Sequence, residues 1–171
     1  MASLVVDRVH CVQESDEVGS DDIYMVVFRG NTTLPFNSNL GVQAPAFWRD
    51  FDEGETSNTD RVIATFVPGA VYVVMLVEED NDRDIAGDVI DFWRSQTDLT
   101  WKAQMIAGAK PADAAQAIKT TMSGLASVFM EFPKGNDDVI EVGRIIAAPG
   151  VPTTRHFKGD GADYEITFKV V

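Results

Sequence analysis

The chain has 171 residues, 27 acidic against 14 basic, for a formal charge of −13, and 45% of its side chains are hydrophobic. That length fits a single domain over residues 1–171 with a full core, and the composition is that of a globular rather than a disordered chain. The charge works against nucleic acid and against an unassisted anionic membrane, while favouring divalent cations, which can bridge carboxylates to other anionic groups.

Cys11 is the single cysteine, so one chain can form neither an internal disulfide nor a cysteine-based metal cluster. In its apolar surroundings it reads as a buried, inert thiol. The start, Met-Ala-Ser-Leu-Val-Val-Asp-Arg, lacks the basic opening and long apolar core of a secretion signal. A cytoplasmic location is the default expectation, with export left open. No run approaches the roughly 20 apolar residues of a membrane span.

In chain order, Leu4 to Val12 is rich in β-branched residues and reads as a strand. An acidic loop, Glu14 to Asp22, leads to a second strand from Ile23 to Phe28. Residues 31–54 read as a long irregular loop marked by Pro35 and Pro45, with Phe36, Phe47 and Trp48 anchoring it. Arg61 to Val67 reads as a strand, Pro68-Gly69 as a turn, and Ala70 to Val77 as a strand apolar on both faces. Residues 89–106, with Phe92, Trp93, Leu99 and Trp101, fit either strands joined by a turn or an irregular helix. From Pro111 to Phe132 the residues Ile118, Met122, Leu125, Phe129 and Phe132 recur at three- and four-residue steps, which predicts one long helix. A strand from Val139 to Ala147, a turn around Pro149 and Pro152, and a last strand from Asp163 to Val171 complete the chain. The expected fold is mostly β: an antiparallel β-sandwich with one long inserted α-helix near residues 111–132.

The strongest local signal is Val77-Glu-Glu-Asp80-Asn-Asp82-Arg-Asp84-Ile-Ala-Gly87. Three carboxylates at every second residue repel one another unless water or a cation separates them. Counted as an EF-hand loop, the run has Ile85 where a glycine must turn the chain and Asp91 where a bidentate glutamate belongs. It also follows a strand-like segment rather than a helix. As a loop between strands it resembles the calcium-binding loop of C2 domains, in which a hydrophobic strand ends in an Asp-x-Asp pair and a further Asp follows. C2 domains pair that loop with an earlier one ending in Asp-Pro-Tyr. The matching run here is Asp16-Glu-Val-Gly-Ser-Asp21-Asp22-Ile23-Tyr24, with Ile23 in place of the proline. The resemblance covers roughly Leu4 to Gly87. It implies calcium as cofactor, held by Asp16, Asp22, Asp80, Asp82 and Asp84 from two loops at one end of the sandwich.

Other chemistry is thinly supported. His10 and His156 have no second histidine at metal-ligand spacing. Ser15, Ser20 and His156 lack a nucleophile-elbow glycine pattern, and the neighbours Glu78 and Glu79 point to opposite faces of a strand. Asn31-Thr32-Thr33 has the form of a glycosylation sequon. The expectation is therefore a non-enzymatic calcium-binding module for an unknown partner, whether protein, glycan or lipid surface. The alternatives are a structural or assembly protein with solvated acidic loops, open to homo-oligomerisation, and, less favoured, a hydrolase.

Overall fold

The computed structural model describes residues 1–15, 19, 21–43, 48–79, 87–129 and 137–171. Along the chain run β1 (Ser3–Gln13), β2 (Ile23–Gly30), β3 (Ser38–Gln43), β4 (Thr56–Thr65), β5 (Val71–Glu78), α1 (Gly87–Ile106), α2 (Pro111–Phe129), β6 (Asp138–Ile145), β7 (Thr153–Gly159) and β8 (Ala162–Val170). The strands form two four-stranded sheets, ordered β4-β1-β8-β7 and β3-β2-β5-β6, and every pairing is antiparallel. The expected antiparallel sandwich with a helical insertion is the observed architecture.

Strand alternation divides the apolar residues between two cores. In β2 and β5, Ile23, Met25, Val27, Tyr72, Val74 and Leu76 fill the space between the sheets. Their neighbours Tyr24, Val26, Phe28, Val73, Met75 and Val77 point the other way, into a second core roofed by the helices. Both strands are apolar at successive positions because each is covered on both faces.

The insertion contains two helices. Residues 89–106, whose pattern fits either a helix or strands, form most of α1, and the signal that settles the matter is Trp93, Thr97, Trp101 and Met105, buried at four-residue steps. Trp101 is fixed by three contacts. Its Nε1 donates to Asn31 O at 3.0 Å, and its ring meets Phe28 edge-on with 5.6 Å between centroids. It also lies over Gly30, where a Cβ would come within 2.4 Å of the ring. In α2, Ala114, Ala115, Ile118, Met122 and Ala126 are buried over β5 and β6, the small residues allowing close approach. Leu125 is partly buried there. The side chains of Phe129 and Phe132, expected on the same stripe, lie outside the described residues.

Two strands depart from the sequence reading. Residues 31–54 contain β3, whose Ser-Asn-Leu-Gly-Val-Gln buries only Leu40. The segment after Pro152 contains β7, with Phe157 buried and charged or polar neighbours. Each offers too few apolar positions to show a period of two. In addition, β4 begins at Thr56, because the polar run Thr-Ser-Asn-Thr-Asp pairs with β1 through the backbone.

The sheets are closed along the β6/β7 side by Glu141, which pairs with Arg155 and accepts a hydrogen bond from Lys158 N at 3.1 Å. There Gly159 meets the β6 backbone so closely that a Cβ would stand 1.9 Å from Ile140 O. On the β3/β4 side, Gln43 Nε2 donates to Ile63 O at 3.3 Å.

Candidate functional site

Strand register decides which connections share an end. Ile23 pairs with Glu78, and Glu79 N donates to Asp22 O at 2.7 Å, so the start of β2 lies beside the end of β5. Glu78 also pairs with Asp138, which brings the start of β6 to the same place. The β1–β2 connection is tied in by Asp21, whose backbone exchanges hydrogen bonds with Phe51 (N to O 3.0 Å and the reverse at 2.9 Å). Thus the two acidic segments that resemble C2 loops leave and enter the sandwich at one end.

Of the five aspartates expected to hold calcium, Asp22 is described; Asp16, Asp80, Asp82 and Asp84 lie outside the described residues. Asp22 already has internal partners. Its Oδ1 accepts from Asp50 N at 2.8 Å, and its Oδ2 stands 3.8 Å from Arg49 Nε.

Its neighbour Asp21, 1% exposed, is the buried anchor of this end. Asp21 Oδ2 accepts from Ser15 N at 3.0 Å and from Tyr164 Oη at 2.7 Å, while Oδ1 accepts from Ser15 Oγ at 2.8 Å. A buried carboxylate without donors would be costly. With these three it tethers the β1–β2 connection to β8. The Tyr164 phenol is pushed well above its usual range, first by burial and then by its hydrogen bond to Asp21 and that group's charge. Cys11 is next to this group. Burial, with the charge of Asp21 adding to it, raises its thiol to about 11, leaving it protonated and unreactive near neutrality.

Further carboxylates gather where the helical insertion departs and returns. Glu78 and Glu79 are buried, and strand alternation sends them to opposite faces. Tyr24, on the helix side, donates to Asp137 Oδ2 at 2.9 Å. Burial, followed by the charge of Asp137 and then its hydrogen bond and Glu79, pushes the Tyr24 phenol far up. Among the described residues, no group of three or more His, Cys, Asp or Glu is arranged to hold a metal ion.

The histidines stand apart from this end's buried carboxylates. His156, expected in a turn, lies in β7, with Nδ1 2.9 Å from Asp163 and Nε2 3.4 Å from Glu165. His10 Nδ1 is 2.9 Å from Glu55 O and 2.8 Å from Thr56 Oγ1. An open groove of about 420 Å³ runs between α1 and the start of β3. Its charges face one another: Asp98 accepts from Ser38 Oγ at 2.8 Å and pairs with Lys102 at 2.6 Å, while Arg94 pairs with Asp91. Among the described residues, no helix is long and apolar enough to cross a membrane.

No family model matches the chain, and no curated protein matches it. A solved structure, that of Drosophila C2-DSL-EGF1, is similar to it at 10% identity with a TM-score of 0.43, over 99% of this chain. The chain spans 66% of that structure's chain, just under two thirds of its length. A likeness of that size carries no weight for fold or function.

Proposed function

We propose that the chain is a non-enzymatic, C2-like β-sandwich module that binds calcium at its acidic end, and that the ion stabilises or gates binding to a partner. The observation behind this reading is the hydrogen bond from Glu79 N to Asp22 O, which brings together the ends of the two acidic segments. Calcium prefers six to eight oxygen ligands, and carboxylates from two neighbouring loops would supply them. In this reading Asp16, Asp22, Asp80, Asp82 and Asp84 are the ligands, and Arg49 gives up its place beside Asp22. The partner belongs to one of three classes, protein, glycan or lipid surface.

The internal partners of Asp22 favour a second reading, in which the acidic loops are solvated turns of a structural or assembly protein that is indifferent to calcium. A thermal melt in excess calcium and in chelator separates the two. At calcium about 100-fold above its Kd, the wild type should gain roughly 2.7 kcal/mol, or about 5–10 °C in Tm. The double variant Asp80→Asn/Asp82→Asn should lose that gain. Equal melting temperatures of the wild type with calcium and with chelator would sink the calcium reading.

A further inference from the structure

The groove between α1 and the start of β3, about 420 Å³ in volume, falls in the size range of small-molecule sites, yet every described residue lining it is polar or charged. Its α1 wall runs about 16 Å from Asp91 to Lys102. Along it the charges alternate, Asp91, Arg94, Asp98 and Lys102, at three- and four-residue steps that keep them on one side of the helix. Asp91 pairs with Arg94 at 2.5 Å and Asp98 with Lys102 at 2.6 Å, so the wall is neutral in a chain of −13.

The wall is also held in place. Arg94 Nε donates to Leu40 O at 3.2 Å, and Asp98 accepts the Ser38 hydroxyl at 2.8 Å. Burial alone would raise the Asp98 carboxyl, but Lys102 and Ser38 hold it below its ordinary value, so it stays an acceptor at neutral pH. Hydrogen-bonding capacity is left over. Lys102 and Arg94 each carry more N–H groups than these contacts use. Among the described residues, the Asn37 amide and the Ser95 hydroxyl, both exposed in the groove, meet no hydrogen-bond partner.

We propose that this groove binds a neutral saccharide, a short run of sugar rings laid along α1 and held by hydrogen bonds. An anionic ligand would meet the repulsive field of so acidic a chain. A cation would have to displace Arg94 or Lys102 from its carboxylate, and an apolar ligand would cover the charged wall without pairing it. A sugar incurs none of these costs. Each hydroxyl both donates and accepts, so neighbouring hydroxyls on one ring can bridge a carboxylate oxygen and the adjacent N–H, or engage Asn37 and Ser95. Because no described lining residue is aromatic, ring stacking contributes nothing and the binding is weak. The site needs no calcium, so it stands or falls separately from the acidic end.

An amide NMR titration of the full chain in chelator tests this, with lactose, maltotriose, cellotriose, mannotriose and triacetylchitotriose as probes. At least one should bind with a Kd of roughly 0.1–10 mM. The shifts should fall on residues 37–38 and 91–102. Ser95→Trp, an exposed change that fills the groove, should abolish those shifts. Asn37→Ala should weaken the same sugar about three- to tenfold, and unchanged melting temperatures show that both variants fold. The proposal is overturned if none of these sugars moves those amides, if the shifts fall elsewhere, or if Ser95→Trp binds like the wild type. Tighter binding of sialyllactose than of lactose, its neutral parent, would overturn it as well, because the site would then select negative charge.

Discussion

The two ends of the sandwich are built from the same strands and could hardly differ more in charge. One end gathers Asp21, Asp22, Glu78, Glu79, Asp137 and Asp138 around the strand ends. The opposite end, formed by residues 31–37, 66–70 and 146–152, contains no Asp, Glu, Lys or Arg. It displays Leu34, Ile146 and Val151 to solvent. The acidic end is held by hydrogen bonds to buried carboxylates, so its order depends on donors staying in place. The uncharged end relies on turns and ring contacts, such as the stacked Phe66 and Tyr72 at 6.4 Å. Like charges concentrated at one end raise the free energy of the fold, and a binding cation would relieve that repulsion.

The sharpest way to probe this difference is a pair of glycine substitutions. Gly159→Ala, at the acidic end, sets a Cβ against the Ile140 carbonyl, a backbone atom that cannot move without separating β6 from β7. A loss of about 4 kcal/mol or more is expected in urea unfolding. Gly30→Ala, toward the uncharged end, presses on the Trp101 ring instead. The helix can shift, so the loss should be about 1–3 kcal/mol, with a change in tryptophan fluorescence. If Gly30→Ala proves the costlier, the closure of the two sheets matters less than the docking of α1.

Hydroxyl deletions should give the next largest contrast. Tyr164→Phe takes a donor from the buried Asp21 carboxylate and should cost about 1–3 kcal/mol. Thr32→Val, at the uncharged end, removes an exposed hydrogen bond to Gly69 O. Its cost should be within about 0.5 kcal/mol. Comparable losses for the two would show that Asp21 is not the anchor described above.

The smallest effect concerns pH. Burial raises the Asp163 carboxyl, but hydrogen bonds from Lys158 and His156 outweigh it and hold the group below its usual value. A carboxylate with a depressed folded pKa contributes stability above the unfolded value near 3.9, and that stability disappears as pH falls through the folded value. Asp163→Asn should therefore flatten the stability curve below about pH 4, by no more than about 1 kcal/mol for so peripheral a group. An unchanged curve in the variant would remove Asp163 from the acid response.

How much was legible in the sequence depends on how many faces an element buries. Strands β2 and β5, covered on both sides, have runs such as Val-Tyr-Val-Val-Met-Leu-Val that no other element fits, and α2 shows a regular apolar stripe. By contrast, β3 and β7 each bury little, and their pairing comes from backbone groups that no side-chain pattern reveals. Helix α1 was obscured by Phe92, Leu99 and Ile106, which put apolar residues on the side away from the core. At the candidate site, the juxtaposition of the two acidic segments could be inferred from resemblance to C2 loops. The burial of Asp21 rather than Asp22 was decided by alternation from Ile23, which faces the inter-sheet core. Tyr164 gave no sign of its role, since its partner Asp21 is distant in sequence and lies across the sandwich, and Ser15, six residues before Asp21, belongs to no pattern that marks it as a donor.

The pairing of Glu78 with Asp138 also bears on the order of folding. Had a tight turn joined β5 to β6, their hairpin could form early and alone. Instead, closing about 60 residues rather than four adds about 2.4 kcal/mol of chain entropy before the first rung is made. Local helix formation and the α1–α2 hairpin shorten that distance in advance. Nucleation of the central sheet is thereby coupled to a segment that supplies none of its strands, and substitutions that weaken the helix pair should slow refolding as well as speed unfolding.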